Sequence, residues 1–223
     1  MKTRLIFIGS MIVIVASLFV WSTQTTSISN EELRTLGVLV LPERKTTPEL
    51  SLISHEGLPF TKDSLKEKWS FVFFGYTHCP DICPITIAQI GQAELRLATN
   101  AEFDILAKIR PVFISIDSKR DGHEKVAKFI GNTSDRFVGV TGNAQEIKAL
   151  ADFAGIGFKR MGSQTMSSED EYLIEHRDYI AIFDPEGDLF GYIKPPFETD
   201  HLARIFRGLA ESNGDFVPVP SSG

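Results

Sequence analysis

WSFVFFGYTHCPDICP, residues 69–84, decides the fold. Its first half, WSFVFFGY, is an almost unbroken apolar run ending near a glycine, the pattern of a strand covered on both faces in the middle of an α/β sheet. That strand delivers the chain directly into Thr77-His78-Cys79-Pro80-Asp81-Ile82-Cys83-Pro84, which holds the only two cysteines of the chain. Pro84 restrains Cys83 and suits the first position of a helix, so the helix is predicted to start at Pro84 with Cys83 as its cap. Cys79 then lies in the preceding loop. Free N–H groups and the positive dipole at a helix head stabilise a thiolate, which favours Cys83 as the nucleophile or ligand.

Regular elements extend on both sides of this stretch. Upstream, ELSLIS alternates as a short strand, HEGLPF turns, and TKDSLKEKW forms a short helix capped by Thr61 or Asp63. Downstream, PITIAQIGQAELRLATN is a long amphipathic helix with Ile85, Ile87 or Ala88, Leu95 and Leu97 near one side. PVFISID is a second buried strand, GHEKVAKFIG and NAQEIKALADFAG are helices, and DYIAIFDPEGDLFGYI is a hairpin. TDHLARIFRGLAE is the last helix. Strands alternating with helices and closing on a hairpin define an α/β sandwich with a central mixed sheet flanked by helices. The polar stretch Lys159–Glu171 is expected to be a mobile loop.

Leu5–Trp21 is an uncharged apolar run of 17 residues behind Lys2 and Arg4. It is short for a spanning helix and long for a cleavable signal core, and both readings stay open. Trp21 suits an interfacial anchor, and a retained N-terminal membrane anchor over 1–21 is the favoured expectation. Basic residues before the run and none after it until Arg34 place the bulk of the chain outside the cytoplasm; the expected location is a plasma (inner) membrane with the soluble domain on the periplasmic/extracytoplasmic side. No cysteine follows the run, so a lipid is not attached there. The expected organisation is anchor 1–21, stalk 22–47, one domain 48–210 and a loose tail 211–223. Beyond the leader, 21 basic residues face 29 acidic ones, a formal charge of −8 that disfavours nucleic acid as a partner.

Two thiols do not complete a site for most metals, and five histidines are available as a third donor. His55, His123 and His201 read as surface or capping residues, and His78 should point away from Cys79. His176 closes EYLIEH at the edge of the polar stretch, though local sequence alone does not set it apart from a solvated loop histidine. A structural disulfide is the plainer reading of the cysteines, weakened by the small loop it would enclose.

GYTHCPDICP behind an apolar strand, then ISIDSKRD, then His176 before an aromatic-aliphatic strand and DPEG, resemble the Sco/SenC family of copper proteins over about Thr47 to Ala210. The resemblance implies a thioredoxin-like fold and a single copper ion, Cu(I) or Cu(II), held by Cys79, Cys83 and His176. It also implies a metallochaperone, not an enzyme, delivering copper to the binuclear copper centre of cytochrome c oxidase. The implied partners are the oxidase's copper-bearing subunit, another copper chaperone or thioredoxin-like reductant, and the membrane. Family members carry prolines around Asp117, Arg120 and Asp121 that this chain lacks, which leaves the shape of that loop in question. Soft thiolates suit Cu(I), and an added imidazole also accommodates Cu(II). Asp81 and Glu175 are candidate supporting residues, and Met161 and Met166 candidate soft contacts.

Rival readings use the same cysteines. A thiol-disulfide oxidoreductase would use Cys79 and Cys83 as a redox pair, although three residues separate them where thioredoxin-type motifs have two. A peroxidase on this fold would need a threonine where Tyr76 or Pro80 stands. A copper or redox sensor shares every feature of the chaperone.

Overall fold

The computed structural model describes residues 28–131, 133–161 and 172–212. The expected anchor, most of the polar stretch and all of the tail beyond residue 212 lie outside these residues. No described helix is long and apolar enough to cross a membrane.

Ten strands and six α-helices are found among the described residues. They run α1 (Asn30–Thr35), β1 (Val38–Lys45), β2 (Leu52–Ser54), β3 (Pro59–Phe60), a 3-10 turn (Lys62–Leu65), β4 (Trp69–Gly75), α2 (Ile82–Thr99) and α3 (Phe103–Ala107). The second half comprises β5 (Ile109–Ser115), α4 (His123–Ile130), β6 (Val138–Thr141), α5 (Ala144–Phe153), β7 (Phe158–Met161), β8 (Leu173–His176), β9 (Ile180–Phe183), β10 (Leu189–Ile193) and α6 (Thr199–Glu211). Eight strands form one mixed sheet in the order β1-β10-β9-β4-β5-β6-β2-β3. β4, β5 and β6 are parallel, and the remaining pairs are antiparallel. β7 and β8 form a separate antiparallel ribbon in which Phe158 faces His176 and Met161 faces Leu173.

β4 is central because all seven of its residues are buried. Phe71, Val72, Phe73 and Phe74 are inaccessible to solvent, and each such side chain contributes about 1.5–3 kcal/mol by leaving water. Phe71 packs on Phe206 of α6, and Trp69 meets Phe190 of β10 edge-on. β5 lies beside β4 in register from Trp69/Ile109 to Gly75/Ser115, so both strands end at the same side of the sheet. In an open α/β sheet, ligands bind beyond the carboxyl ends of such strands.

Three expectations require correction. The stretch read as a stalk belongs in part to the domain: β1 pairs with β10 at the sheet margin, and Ile28, Leu33, Leu36 and Val38 are buried. A Cβ on Gly208 would come within 2.6 Å of Ile28, so α6 accepts this segment only because glycine stands there. In α2 the buried face runs through Cys83, Thr86, Ile87, Ile90, Gly91, Ala93, Glu94 and Leu97, whereas Ile85 and Leu95 are exposed. Lys159 to Met161 lie in β7, not in a loop. The outer strands of the sheet, β1 and β3, contain Pro42 and Pro59.

Candidate metal centre

β4 ends at Gly75, and the chain turns through 76–81 into α2. The helix begins at Ile82 with Asp81 as its cap, two residues before the expected start. Pro84 is tolerated in this first turn because the amides there have no partner within the helix. Cys83 is therefore the second helical residue, and its side chain is inaccessible to solvent. Its Sγ fits against β4 because residue 75 is glycine: a Cβ there would lie 2.9 Å from that sulfur and 3.1 Å from the Phe73 ring.

Cys79 is half-buried, and both thiols are free. The Cys83 backbone N–H donates to Cys79 Sγ over 3.4 Å, so the head of α2 is aimed at the sulfur lying beyond it. The hydrogen bond from the Cys83 thiol, then the amides of Asp81 and Cys83 and the charge of His176, outweigh burial and draw Cys79 down to about 5. The same hydrogen bond, followed by burial, raises Cys83 far above the ordinary thiol range. This reverses the sequence expectation. A helix head stabilises charge beyond its end, where Cys79 sits, while the first-turn side chain of Cys83 turns into the core.

The turn is pinned from β5. Asp121, fully buried, accepts hydrogen bonds from the Thr77 N–H (2.8 Å), the Thr77 hydroxyl (2.6 Å) and the Ser115 hydroxyl (2.7 Å). His78 lies outward, its Nδ1 3.6 Å from Asp121 and its Nε2 3.1 Å from Lys125 Nζ. It turns away from the thiols, as expected.

His176 is the last residue of β8, and its side chain is only 2% exposed. Its ring meets those of Phe73 and Tyr76 edge-on, with centroids 6.1 and 6.4 Å apart. Phe73 also borders Cys83 Sγ across Gly75, so the imidazole and the dithiol both lie toward the same end of β4. Nδ1 lies 3.3 Å from Asp178 Oδ1; a neutral ring with its proton on that side would have Nε2 as its free donor atom. Among the described residues, no group of three or more His, Cys, Asp or Glu side chains is placed so that it could hold a metal ion as it stands. Cys79 and Cys83 are adjacent, and His176 is near enough for its charge to act on Cys79.

The supporting residues differ from those expected. Asp178, not Glu175, lies beside the His176 ring, and Asp81 stands at the N-cap position of α2 without a side-chain hydrogen bond there, its amide acting on Cys79. Asp178 is visible in hindsight as an acid two residues past His176. Met161 is exposed at the far end of β7, while Met166 lies outside the described residues. His55 accepts from the Gly139 N–H, and His201 pairs with Glu198, both distant roles.

A central strand leading into a dithiol turn at a helix head, with an imidazole supplied by a later strand, defines a thioredoxin-like protein. The SCO1/SenC family model matches residues 41–211, and the chain belongs to that family. SCO2-like protein RP587 of Rickettsia prowazekii is 28% identical over 207 residues, covering 92% of this chain and 96% of that protein. The crystal structure of Arabidopsis thaliana ScoI with copper bound superposes with a TM-score of 0.65 at 26% identity, covering 74% of this chain and 98% of the other. Yeast Sco1 with copper bound shares the fold, with a TM-score of 0.66 at 22% identity over 79% of this chain and 92% of that one.

Proposed function

We propose that this protein binds one copper ion through Cys79 Sγ, Cys83 Sγ and His176 Nε2 and hands it to the binuclear copper centre of cytochrome c oxidase. What supports this reading is the paired thiols at the head of α2, one of them lowered, with a buried imidazole beside Asp178 lying toward the same end of β4. Two thiolates satisfy Cu(I), and the imidazole extends the set to Cu(II). Zinc in a structural site would call for a fourth protein ligand. Copper leaves by ligand exchange: incoming thiolates of the acceptor replace Cys79, the more accessible sulfur, before the buried Cys83. The apolar run at Leu5–Trp21 anchors the domain on the outer face of the membrane, where such an acceptor lies.

X-ray absorption on the copper-loaded protein tests the ligand set, with two sulfur donors and at least one nitrogen donor expected. His176→Ala should lose the nitrogen donor and tight Cu(II) binding. Equal rescue of an oxidase-assembly defect by His176→Ala and wild type would refute delivery through this site.

The unequal thiols also support a second reading, reduction of acceptor cysteines. The Cys79 thiolate attacks an acceptor disulfide and releases one acceptor thiolate. Cys83 then displaces the other, leaving a Cys79–Cys83 disulfide and a reduced acceptor. Dithiol exchange surviving in His176→Ala distinguishes this activity from copper delivery.

A further inference from the structure

β8 carries His176 but pairs only with β7, and no backbone ladder ties this ribbon to the main sheet among the described residues. What holds β8 against the thiol turn is a set of links to residues 117–121 and to Tyr76. Asp117, fully buried at the end of β5, accepts hydrogen bonds from the Tyr172 hydroxyl and from Nε of Arg120. Arg120 Nη2 donates to the Tyr172 carbonyl over 3.1 Å, and its guanidinium lies 3.6 Å from the centre of the Tyr172 ring. Two residues along, the Ile174 N–H donates to the Tyr76 hydroxyl over 3.3 Å.

Residues 172, 174 and 176 alternate onto one side of an extended segment, with about 13 Å separating the first from the last. Clamping Tyr172 and Ile174 therefore fixes where His176 arrives. The same short segment reaches the other half of the centre, because Asp121 holds Thr77 two residues before Cys79. Residues 117–121 thus grip both the strand bearing the imidazole and the turn bearing the thiol.

We infer that Asp117, Arg120 and Tyr172 are positioning residues that set the reach of His176 toward the two thiols, and so set the preference of the centre for Cu(II) over Cu(I). The inference rests on the proposed copper site. Cu(I) is satisfied by the thiol pair, whose own fixing through Asp121 and α2 is independent of Tyr172. Cu(II) needs the imidazole as well, and a loosened β8 delivers it less often.

The test uses Tyr172→Phe, which keeps the ring under Arg120 and removes the hydroxyl from Asp117, and Arg120→Lys, which keeps the charge beside Asp117 and loses the planar contact with Tyr172. Cu(II) affinity should fall by about tenfold or more in each, the lower end of what lost outer support costs a metal site. The sulfur-to-copper charge-transfer band and the electron paramagnetic resonance spectrum should shift. Cu(I) affinity, read by competition with a chromogenic chelator, should stay within about twofold of wild type, since its two sulfur donors are untouched. Unchanged Cu(II) affinity and spectra in both variants would overturn the inference. So would equal losses of Cu(I) and Cu(II) binding, the mark of general loosening. Wild-type protein that shows no sulfur-and-nitrogen copper signature would instead bring down the proposed site itself.

Discussion

The amide of Cys83 points at the sulfur of Cys79 from 3.4 Å, while the Cys83 side chain is closed off from water. One proton is thereby held on the buried sulfur and one negative charge on the accessible one.

Titrating the reduced, metal-free protein by thiolate absorbance near 240 nm should reveal one thiolate forming with a midpoint at about 5, assigned to Cys79. Cys79→Ser should remove that transition and Cys83→Ser should move it upward. A sole midpoint in the ordinary thiol range would contradict the described geometry.

The same shift links stability to pH. The Cys79 thiol is lowered on folding, so between about 5 and the ordinary thiol value the unfolded chain binds more protons than the folded one. Its contribution is complete above the unfolded value and disappears as pH falls through the folded one. Thermal denaturation from pH 5 to 9 should show a rise with pH that is reduced in Cys79→Ser.

Asp178→Asn leaves His176 in place but removes the carboxylate 3.3 Å from its Nδ1. Cu(II) affinity should drop by about 10- to 100-fold, the usual effect of losing a carboxylate behind a metal-binding histidine. Isothermal titration checks this, and unaltered affinity would show that Asp178 does not orient the ring.

Gly75→Ala places a methyl group where Cys83 Sγ and two phenylalanine rings already lie within 3.1 Å. Overpacking of this kind costs about 1–3 kcal/mol. Denaturant unfolding should show that loss, and copper binding should weaken as Cys83 is displaced.

Fragments beginning at residue 28 and at residue 48 distinguish the two domain boundaries. The longer one retains Leu33, Leu36 and Val38 in the core and β1 on β10, and should unfold cooperatively. The shorter one strips β10 of its partner strand and should be markedly less stable in urea. Equal midpoints would restore the stalk reading.

Long periodic or uniformly apolar segments were legible in the sequence. β4 declared itself by an unbroken apolar run, and the final helix, Thr199–Glu211, by its 3.6-residue period. β6 is not legible because four residues including a glycine carry little pattern. β1 resembles a stalk because Pro42 and the charges of Glu43, Arg44 and Lys45 mimic a linker, although they equally mark a marginal strand. The helix start was displaced because Pro84 fits any position of the first turn. Cys79 and Cys83 were evident as a pair, but their unequal roles depend on which sulfur faces the core, a tertiary fact. His176 was reached through family resemblance, since a four-residue strand beside a long polar stretch does not reveal where its last side chain lands.

The two prolines on the outer strands matter for how the molecule coexists with its copies. Pro42 and Pro59 each lack the N–H that a docking strand would need, and Glu43, Arg44 and Lys45 add charge along one rim. Neither border of the sheet is an inviting template for edge-to-edge growth. A chain whose middle strand reads WSFVFFG, a sticky segment whenever exposed, is thus guarded against fibrillar assembly once folded.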